Sequence, residues 1–235
     1  MLLRQLFDNT SCTFTYLIAD GPGGQALLID PVLEKLETYL RLFDELELTL
    51  AYAIDTHVHA DHISALGKLR EFTGCETVHG ERSLARGISR KVGDGDWLHL
   101  QQVKLQAIYT PGHTDDSYCF RLPAKPADLL FTGDTLLIRG TGRTDFQQGD
   151  AEAQYRSLMD RVLCFDDDTV VYPGHDYRGM TSSTIGEERR HNPRLQVSDQ
   201  REYAQLMGAL KLDRPEHMDI AVPANLNGGL LREAG

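Results

Sequence analysis

The residues of this chain that are best suited to chemistry are histidines gathered in short polar clusters. The densest cluster is formed by His57, His59, Asp61 and His62. Imidazole and carboxylate groups are the ligands that zinc, iron and manganese sites share. In an extended segment the first three of these side chains project to one side, and His62 projects to the other. The cluster therefore predicts a segment that lines a cavity with several metal ligands.

Three further candidate ligands stand singly along the chain. They are His113 in Pro-Gly-His-Thr, Asp134 in Thr-Gly-Asp-Thr and His175 in Pro-Gly-His-Asp. Taken alone, each is also typical of an ordinary turn. All three, like the cluster at His57, follow an apolar run typical of a buried strand. Because strand ends bring distant residues together at one rim of a sheet, the pattern predicts a metal site built there.

Strands and helices alternate along the chain, which predicts an α/β protein whose sheets are covered by helices. The residues around 20–24 predict a β-hairpin, and Asp30-Pro31 predicts a helix start with Asp30 as its cap. No low-complexity linker divides the chain, so we expect a single domain, 1–235, with a short C-terminal helical segment at about 196–235. The predicted strands are 14–19, 25–29, 48–54, 103–109, 117–122, 128–132 and 169–172, and the predicted helices are 31–46, 63–72, 151–165 and 200–212.

The charge balance and the cysteines exclude several classes of protein. The chain has 24 Lys and Arg against 35 Asp and Glu, a net charge of −11 at pH 7. Such a chain repels phosphate backbones and anionic lipid, so we expect no nucleic-acid partner and no membrane partner. The four cysteines are far apart, which indicates free thiols in a reducing compartment. We find no signal peptide and no apolar run of about 18 residues, so we expect a soluble, cytoplasmic protein.

The order of the motifs resembles that of the metallo-β-lactamase superfamily, from about residue 12 to about residue 195. This resemblance implies an αββα sandwich with the metal site at one edge of the two sheets. Within the superfamily the chain is most similar to the persulfide dioxygenases that act on glutathione persulfide. Some relatives have Cys where this chain has Thr141, so a thiol role at that position is absent here. The segments that carry the closer match are 9–16, 134–147, 172–177 and 221–225.

The resemblance to persulfide dioxygenases implies one Fe(II) per chain, held by His57, His113 and Asp134. Two imidazoles and one carboxylate form the facial triad of non-haem iron oxygenases. The expected reaction oxidises glutathione persulfide with O₂ to sulfite and glutathione, as part of sulfide detoxification. Arg143 and Tyr177 are the expected substrate-binding residues. Four further residues are expected to orient the ligands or to bind a second metal, namely His59, Asp61, His62 and His175.

Ligand identity by itself leaves a second function open, because all seven side chains of a two-metal site are present. That alternative is a thioester hydrolase of the glyoxalase II type, with Asp134 bridging the two metals. Two features favour iron: only 60 residues follow His175, which leaves little room for a glutathione-binding helical extension, and residues 144–147 depart from the hydrolase pattern. A non-catalytic metal-binding module is a third interpretation, although no ligand is missing. The oligomeric state is left open, and a homodimer is one option.

Overall fold

The computed structural model describes residues 1–215 and 217–231 of the chain. Strands and helices alternate, as predicted. The elements, in chain order, are β1 (Leu2–Asp8), β2 (Thr13–Ala19), β3 (Gln25–Ile29), α1 (Leu36–Glu45), β4 (Thr49–Ile54), α2 (Leu66–Thr73), β5 (Glu76–Gly80), β6 (Arg90–Val92), β7 (Trp97–His99), β8 (Lys104–Tyr109), β9 (Tyr118–Leu122), β10 (Leu129–Gly133), α3 (Ala151–Arg156), β11 (Val170–Pro173), β12 (Ser183–Thr184), α4 (Ile185–His191), α5 (Gln200–Gly208) and α6 (Met218–Asn225).

The described residues form two compact units. The first unit contains Met1–Val92, Leu98–Lys104 and the described residues from Arg214 onward. The second contains Gly93–Trp97 and Leu105–Asp213. Each unit has its own strands and its own hydrophobic core. Among the residues that the structure describes, no helix is both long enough and apolar enough to cross a membrane.

The first unit is built on a sheet with the strand order β1-β2-β3-β4-β5-β6. Its first three strands pair antiparallel, and β3 to β6 run parallel to one another. Every residue of β2 is buried. Leu17 and Leu28 pack against Tyr39 and Phe43 of α1 and against Leu69 of α2. The apolar face of α1 therefore covers this sheet, as the sequence predicts.

The second unit is built on strands in the order β12-β11-β10-β9-β8. Strands β8, β9 and β10 pair antiparallel, β11 lies parallel to β10, and β12 is antiparallel to β11. Its core joins Leu130 and Val171 of the sheet to Leu158, Ile185 and Tyr203 of the following helical segments. All five are fully buried. Burial of one leucine side chain contributes about 2 kcal/mol to the free energy of folding. This core therefore fixes the strands that precede the site residues.

Polar residues follow parallel strands at one edge of each sheet. In the first unit, Asp30 follows β3 and Asp55 follows the parallel strand β4. In the second unit, β8, β10 and β11 run in the same direction, because each is either parallel to the next or related to it by two antiparallel pairings. His113, Asp134 and His175 come after these three strands. The predicted position of the candidate ligands after strand ends is confirmed within each unit.

Two predicted helices differ from the structure. Asp30 does not cap a helix: it has a φ of +52°, and its carboxylate accepts the backbone N–H of Thr56 instead. A 3₁₀ turn, Leu33–Lys35, precedes α1 and has no side-chain cap. The helix predicted over 151–165 is α-helical only to Arg156 and continues as a π-helical turn, Ser157–Val162. The sequence analysis also missed β1, β5, β6, β7 and β12, which are short or partly exposed and lack a clear apolar pattern.

The C-terminal segment predicted to be helical, about 196–235, contains α5 and α6. Residue 216 and residues 232–235 of that segment lie outside the described residues. The single-domain expectation for 1–235 stays a prediction.

Candidate metal centre

The histidine cluster of the first unit lies on a bent loop after β4. The His59 ring lies 4.3 Å from the ring of His57 and 4.4 Å from the ring of His62. Donor atoms of His59, Asp61 and His62 all lie within 4.8 Å of one another. The expectation that His62 projects away from the others is therefore wrong. Strand alternation does not apply here, because the chain leaves the sheet at Ile54 and bends.

His57 is oriented by a chain of two hydrogen bonds. Its Nδ1 lies 2.9 Å from Thr56 Oγ1, and that hydroxyl donates its hydrogen to Asp30 Oδ2 at 3.0 Å. Since the hydroxyl has one hydrogen, it must accept from His57, so Nδ1 carries the proton. The lone pair of the neutral ring is then on Nε2. A histidine whose other nitrogen donates in this way is prepared for metal binding.

Asp30 holds Thr56 and His59 in place from a strained backbone position. It is almost fully buried, with 1% of its surface exposed, and its positive φ is unusual for a residue other than glycine. Its carboxylate accepts hydrogen bonds from the backbone N–H and hydroxyl of Thr56 and from His59 Nε2. These bonds compensate for the strain. Sequence reasoning missed this role because Asp30-Pro31 is also a common helix start.

His59 lies in a buried acidic environment. Its Nε2 is 3.1 Å from Asp30 Oδ1 and 4.0 Å from Asp55 Oδ1. Burial by itself lowers the pKa of His59, but the carboxylates of Asp30, Asp55 and Asp61 raise it more, to about 10. His79 is buried as well, with its Nε2 3.2 Å from Asp55 Oδ2. The raised pKa of His59 gives this imidazole a positive charge near neutral pH, which compensates for the interior carboxylates around it.

Asp61 and His62 form a hydrogen-bonded pair. His62 Nδ1 donates to Asp61 Oδ2 at 2.9 Å, and Thr13 Oγ1 donates to the same oxygen at 3.2 Å. The opposite nitrogen, His62 Nε2, is buried and has no hydrogen-bond partner among the described residues. Buried polar atoms normally have a partner. This nitrogen therefore fits a ligand to a metal or to a bound molecule.

In the second unit, two imidazoles flank one carboxylate. His113 Nε2 lies 3.5 Å from Asp134 Oδ2, and His175 Nε2 lies 3.5 Å from Asp134 Oδ1. Among the described residues, Asp134 Oδ1 is buried and accepts no hydrogen bond. Two ligands bound about 2.1 Å from one metal lie about 3–3.5 Å apart. The spacing of these donor atoms therefore fits metal binding better than direct hydrogen bonding.

His113 is oriented by the backbone of the loop that follows β10. Its Nδ1 lies 2.7 Å from the carbonyl oxygen of Arg143. Because a carbonyl oxygen only accepts, Nδ1 carries a proton, and in the neutral ring the lone pair is then on Nε2. Gly142 brings this loop close: its N–H donates to the Asp134 carbonyl at 2.7 Å. A Cβ at Gly142 would overlap that carbonyl and lie 2.7 Å from His113 Nδ1.

Buried side chains support the same loop from behind. Gln154 Nε2 donates to the Gly142 carbonyl at 3.2 Å, and Tyr203 Oη donates to Gln154 Oε1 at 2.8 Å. Burial raises the pKa of Tyr203 to about 12, so the phenol keeps the hydrogen that it donates. Thr141 Oγ1 lies 3.0 Å from Tyr203 Oη. Sequence reasoning missed Gln154 and Tyr203, which the sequence marks only as residues of amphipathic helices.

Arg143, an expected substrate-binding residue, already has partners in this structure. Its guanidinium donates to both carboxylate oxygens of Asp145, at 2.7 and 2.8 Å, and to the carbonyl oxygens of Asp213 and Leu212. The group also lies over the ring of Phe146, 4.5 Å from its centroid. A substrate carboxylate would therefore have to replace Asp145.

Tyr177, the other expected substrate-binding residue, lies on the loop after β11. It is 71% exposed. Its ring is parallel to that of His175, with the centroids 6.0 Å apart. An exposed aromatic ring beside a candidate ligand is suited to contact with a small molecule.

Comparison with family models gives a match to the model described as the metallo-beta-lactamase superfamily. It covers residues 13–175 of the chain, which is well over half of its length. The matched range includes every candidate metal ligand named above. It ends at His175, so it leaves out Tyr177 and the C-terminal helices.

Comparison with curated proteins and solved structures gives close relatives over nearly the whole chain. The mitochondrial persulfide dioxygenase ETHE1 of Homo sapiens is 45% identical over 231 residues, which cover 98% of this chain and 89% of that protein. The crystal structure of ETHE1 from Myxococcus xanthus matches with a TM-score of 0.93 and 48% identity, covering 97% of this chain and all of that one. A metallo-beta-lactamase structure from Staphylococcus aureus matches with a TM-score of 0.90 at 24% identity, covering 100% of this chain and 75% of that one, and this match concerns the fold alone.

The role of the Thr56 hydroxyl in orienting His57 can be tested directly. Thr56→Val keeps the shape of the side chain but removes the hydroxyl that orients His57, so we expect the affinity for Co(II) to fall by about 10- to 100-fold. Thr56→Ser, which keeps the hydroxyl, should bind Co(II) like the unaltered chain. The measurement is competition titration against a chelator. Equal affinity in the valine and serine variants would contradict this role.

The close approach at Gly142 gives a second test. In Gly142→Ala the added methyl group overlaps the Asp134 carbonyl and crowds His113, so we expect Co(II) affinity to fall by at least roughly tenfold. Gly140→Ala is the matched control, because the nearest atom to its added Cβ is Leu137 Cβ at 3.9 Å. Melting temperatures of both variants separate loss of metal from loss of fold. If both alanine variants bind Co(II) equally well, the loop does not position His113.

Proposed function

The chain belongs to the metallo-β-lactamase superfamily and, within it, to the persulfide dioxygenases, and from this membership we propose that it oxidises glutathione persulfide with O₂ to sulfite and glutathione. The superfamily membership confirms the fold class expected from the sequence. The observation that carries the proposal is the identity of 45% to a persulfide dioxygenase over 98% of the chain. The iron, the glutathione moiety and the site residues are parts of the proposal.

We propose one Fe(II) per chain, with His57, His113 and Asp134 as its ligands. The orientation of the rings supports this choice, because Nδ1 of each histidine donates a hydrogen bond and Nε2 keeps its lone pair. The buried oxygen of Asp134 that lacks a hydrogen-bond partner among the described residues supports it as well. When bound, a ferrous ion would supply the redox chemistry by which both atoms of O₂ pass to the outer sulfur of the persulfide, and water would supply the third oxygen of sulfite.

We propose that four further residues orient the ligands, namely His59, Asp61, His62 and His175. The ring of His59 lies 4.3 Å from the ring of His57, and His175 Nε2 lies 3.5 Å from Asp134 Oδ1. His62 lies beside His59 and is hydrogen-bonded to Asp61. Two neutral imidazoles and one carboxylate leave a charge of +1 with Fe(II). A persulfide anion would neutralise this charge, so electrostatic attraction would favour its binding.

Arg143 and Tyr177 are the proposed contacts to the glutathione part of the substrate. Glutathione has two carboxylates, and a chain with a net charge of −11 needs local positive charge to bind it. Arg143 pairs in a bidentate manner with Asp145, which is the geometry in which arginine recognises a substrate carboxylate. In the proposed complex, the substrate carboxylate takes the place of Asp145.

One observation favours the alternative, a two-metal thioester hydrolase. His59, Asp61 and His62 form a compact donor group, and His62 Nε2 is buried without a hydrogen-bond partner among the described residues. In this alternative, Asp61, His62 and His175 would bind the second metal, and His59 would bind the first together with His57 and His113. The two functions differ in metal content and in reaction, and one preparation distinguishes them.

Location and assembly are separate predictions. The human relative carries the word mitochondrial in its name, which is said of that protein. For this chain, a cytoplasmic location and the option of a homodimer stay predictions, and so does the absence of nucleic-acid and membrane partners.

The main test is oxygen consumption by the chain purified without chelators. We expect about one iron per chain and uptake of O₂ when glutathione persulfide is added, with sulfite as product. His113→Ala should abolish uptake, because a proposed ligand is lost. His191→Ala, which alters an exposed histidine of α4, should leave uptake unchanged. A preparation with two metals per chain that splits glutathione thioesters and takes up no O₂ would overturn the proposal.

Substrate binding is tested by Arg143→Ala. The variant keeps the backbone carbonyl that orients His113, so we expect kcat to stay within about twofold and KM for glutathione persulfide to rise by about tenfold. Arg161→Ala is the control, because that arginine pairs with Asp94 at an exposed position. A fall in kcat with KM unchanged would mean that Arg143 acts in the transition state instead.

A further inference from the structure

One segment that resembles the persulfide dioxygenases, residues 221–225, has no role in the proposed function. It forms the end of α6, and its last residue, Asn225, is fully buried. The Asn225 side chain contacts the loop of residues 55–62, called the histidine loop below, which lies more than 160 residues earlier in the sequence. Asn225 Nδ2 donates to the carbonyl oxygens of His59 and His62, at 2.9 and 2.8 Å. Its Oδ1 accepts the backbone N–H of Ser64 at 2.8 Å.

These three hydrogen bonds meet a need of the loop itself. Residues 55–62 lie outside the sheet, so they lack the ladder hydrogen bonds that fix a strand. Buried backbone carbonyls require a donor, and one amide group supplies both hydrogens. The amide oxygen holds the chain again at Ser64. A single side chain therefore fixes the backbone at three points across six residues of the loop.

The segment that carries Asn225 is itself held against the first unit. The backbone N–H of Arg86 donates to the Leu226 carbonyl at 2.9 Å. Gly229, with a φ of +77°, approaches the Ser64 carbonyl so closely that a Cβ would overlap it. The chain is thus held at Leu226 and at Gly229, shortly after Asn225. The Asn225 amide therefore has little freedom to follow a displaced loop.

We propose that Asn225 is a positioning residue that sets metal affinity by fixing the backbone of the histidine loop. Side chains that orient metal ligands affect affinity because a ligand displaced by a fraction of an ångström binds poorly. Asn225 acts one step further away, on the main chain from which His57, His59 and Asp61 project. The inference rests on the proposed metal role of this loop.

The test uses full-length chain from which metal has been removed, titrated with Co(II) against a chelator. Asn225→Asp has the same shape but loses both donors, and it places a carboxylate against two carbonyl oxygens. We expect its Co(II) affinity to fall by about 10- to 100-fold and its Co(II) absorption spectrum to change. Asn225→Ser, which keeps one donor, provides a milder variant that tests the same point if the aspartate variant does not fold.

Two controls separate positioning from general stability. Asn227→Ala removes a side chain that donates to the Leu230 carbonyl, and it should leave Co(II) affinity and spectrum unchanged. Phe43→Leu weakens the core of the same unit and should lower the melting temperature without changing the spectrum. If the Asn225 variants lose no more Co(II) affinity than Phe43→Leu does, and keep the spectrum, the proposal is overturned.

The Co(II) titration needs no oxygen chemistry, so it separates this inference from the proposed function. Suppose that the unaltered chain binds Co(II) in the titration but, in the separate oxygen experiment, takes up no O₂ with glutathione persulfide. That result would remove the proposed function and leave the role of Asn225 standing. Wild-type affinity in both Asn225 variants would remove the role of Asn225 and leave the proposed function standing.

Discussion

A histidine binds a metal through one ring nitrogen, and its usefulness as a ligand depends on what holds the other. This constraint explains much of the structure around the candidate ligands. In the first unit, His57 is held by the hydroxyl of Thr56, which in turn is held by buried Asp30. In the second unit, His113 is held by a backbone carbonyl. A side-chain relay and a main-chain loop therefore reach the same result, a ring whose neutral form has its lone pair on Nε2.

Both devices have structural costs that nearby residues offset. Asp30 has a backbone conformation that is unfavourable for aspartate, and it is stabilised by three hydrogen bonds to its carboxylate. The loop beside His113 comes so close that glycine is required at position 142. Carboxylates buried in the first unit are compensated by the raised pKa of His59, which lies against Asp30. Strain, close approach and buried charge thus occur together around the candidate ligands, as expected of a functional site.

The loops that carry the candidate ligands lack the backbone hydrogen bonds of a sheet, because they begin where the strands end. Each is supported by residues that come much later in the chain. Asn225 fixes the backbone of the histidine loop in the first unit, and Gln154 with Tyr203 fixes the loop beside His113 in the second. The helices after the ligand motifs therefore do more than cover a sheet. They supply the hydrogen bonds that a loop outside a sheet lacks.

The candidate ligands, their positions after strand ends and the family could be predicted from the sequence alone, because these depend on residue identity and on local apolar runs. Only the tertiary structure showed that His62 lies beside Asp61 and His59, since bends in a loop leave no periodic signal. It also decided that Asp30 orients His57 through Thr56 and caps no helix. The contacts of Asn225, Gln154 and Tyr203 join positions far apart in the chain, and such pairings arise from packing, which no local pattern encodes.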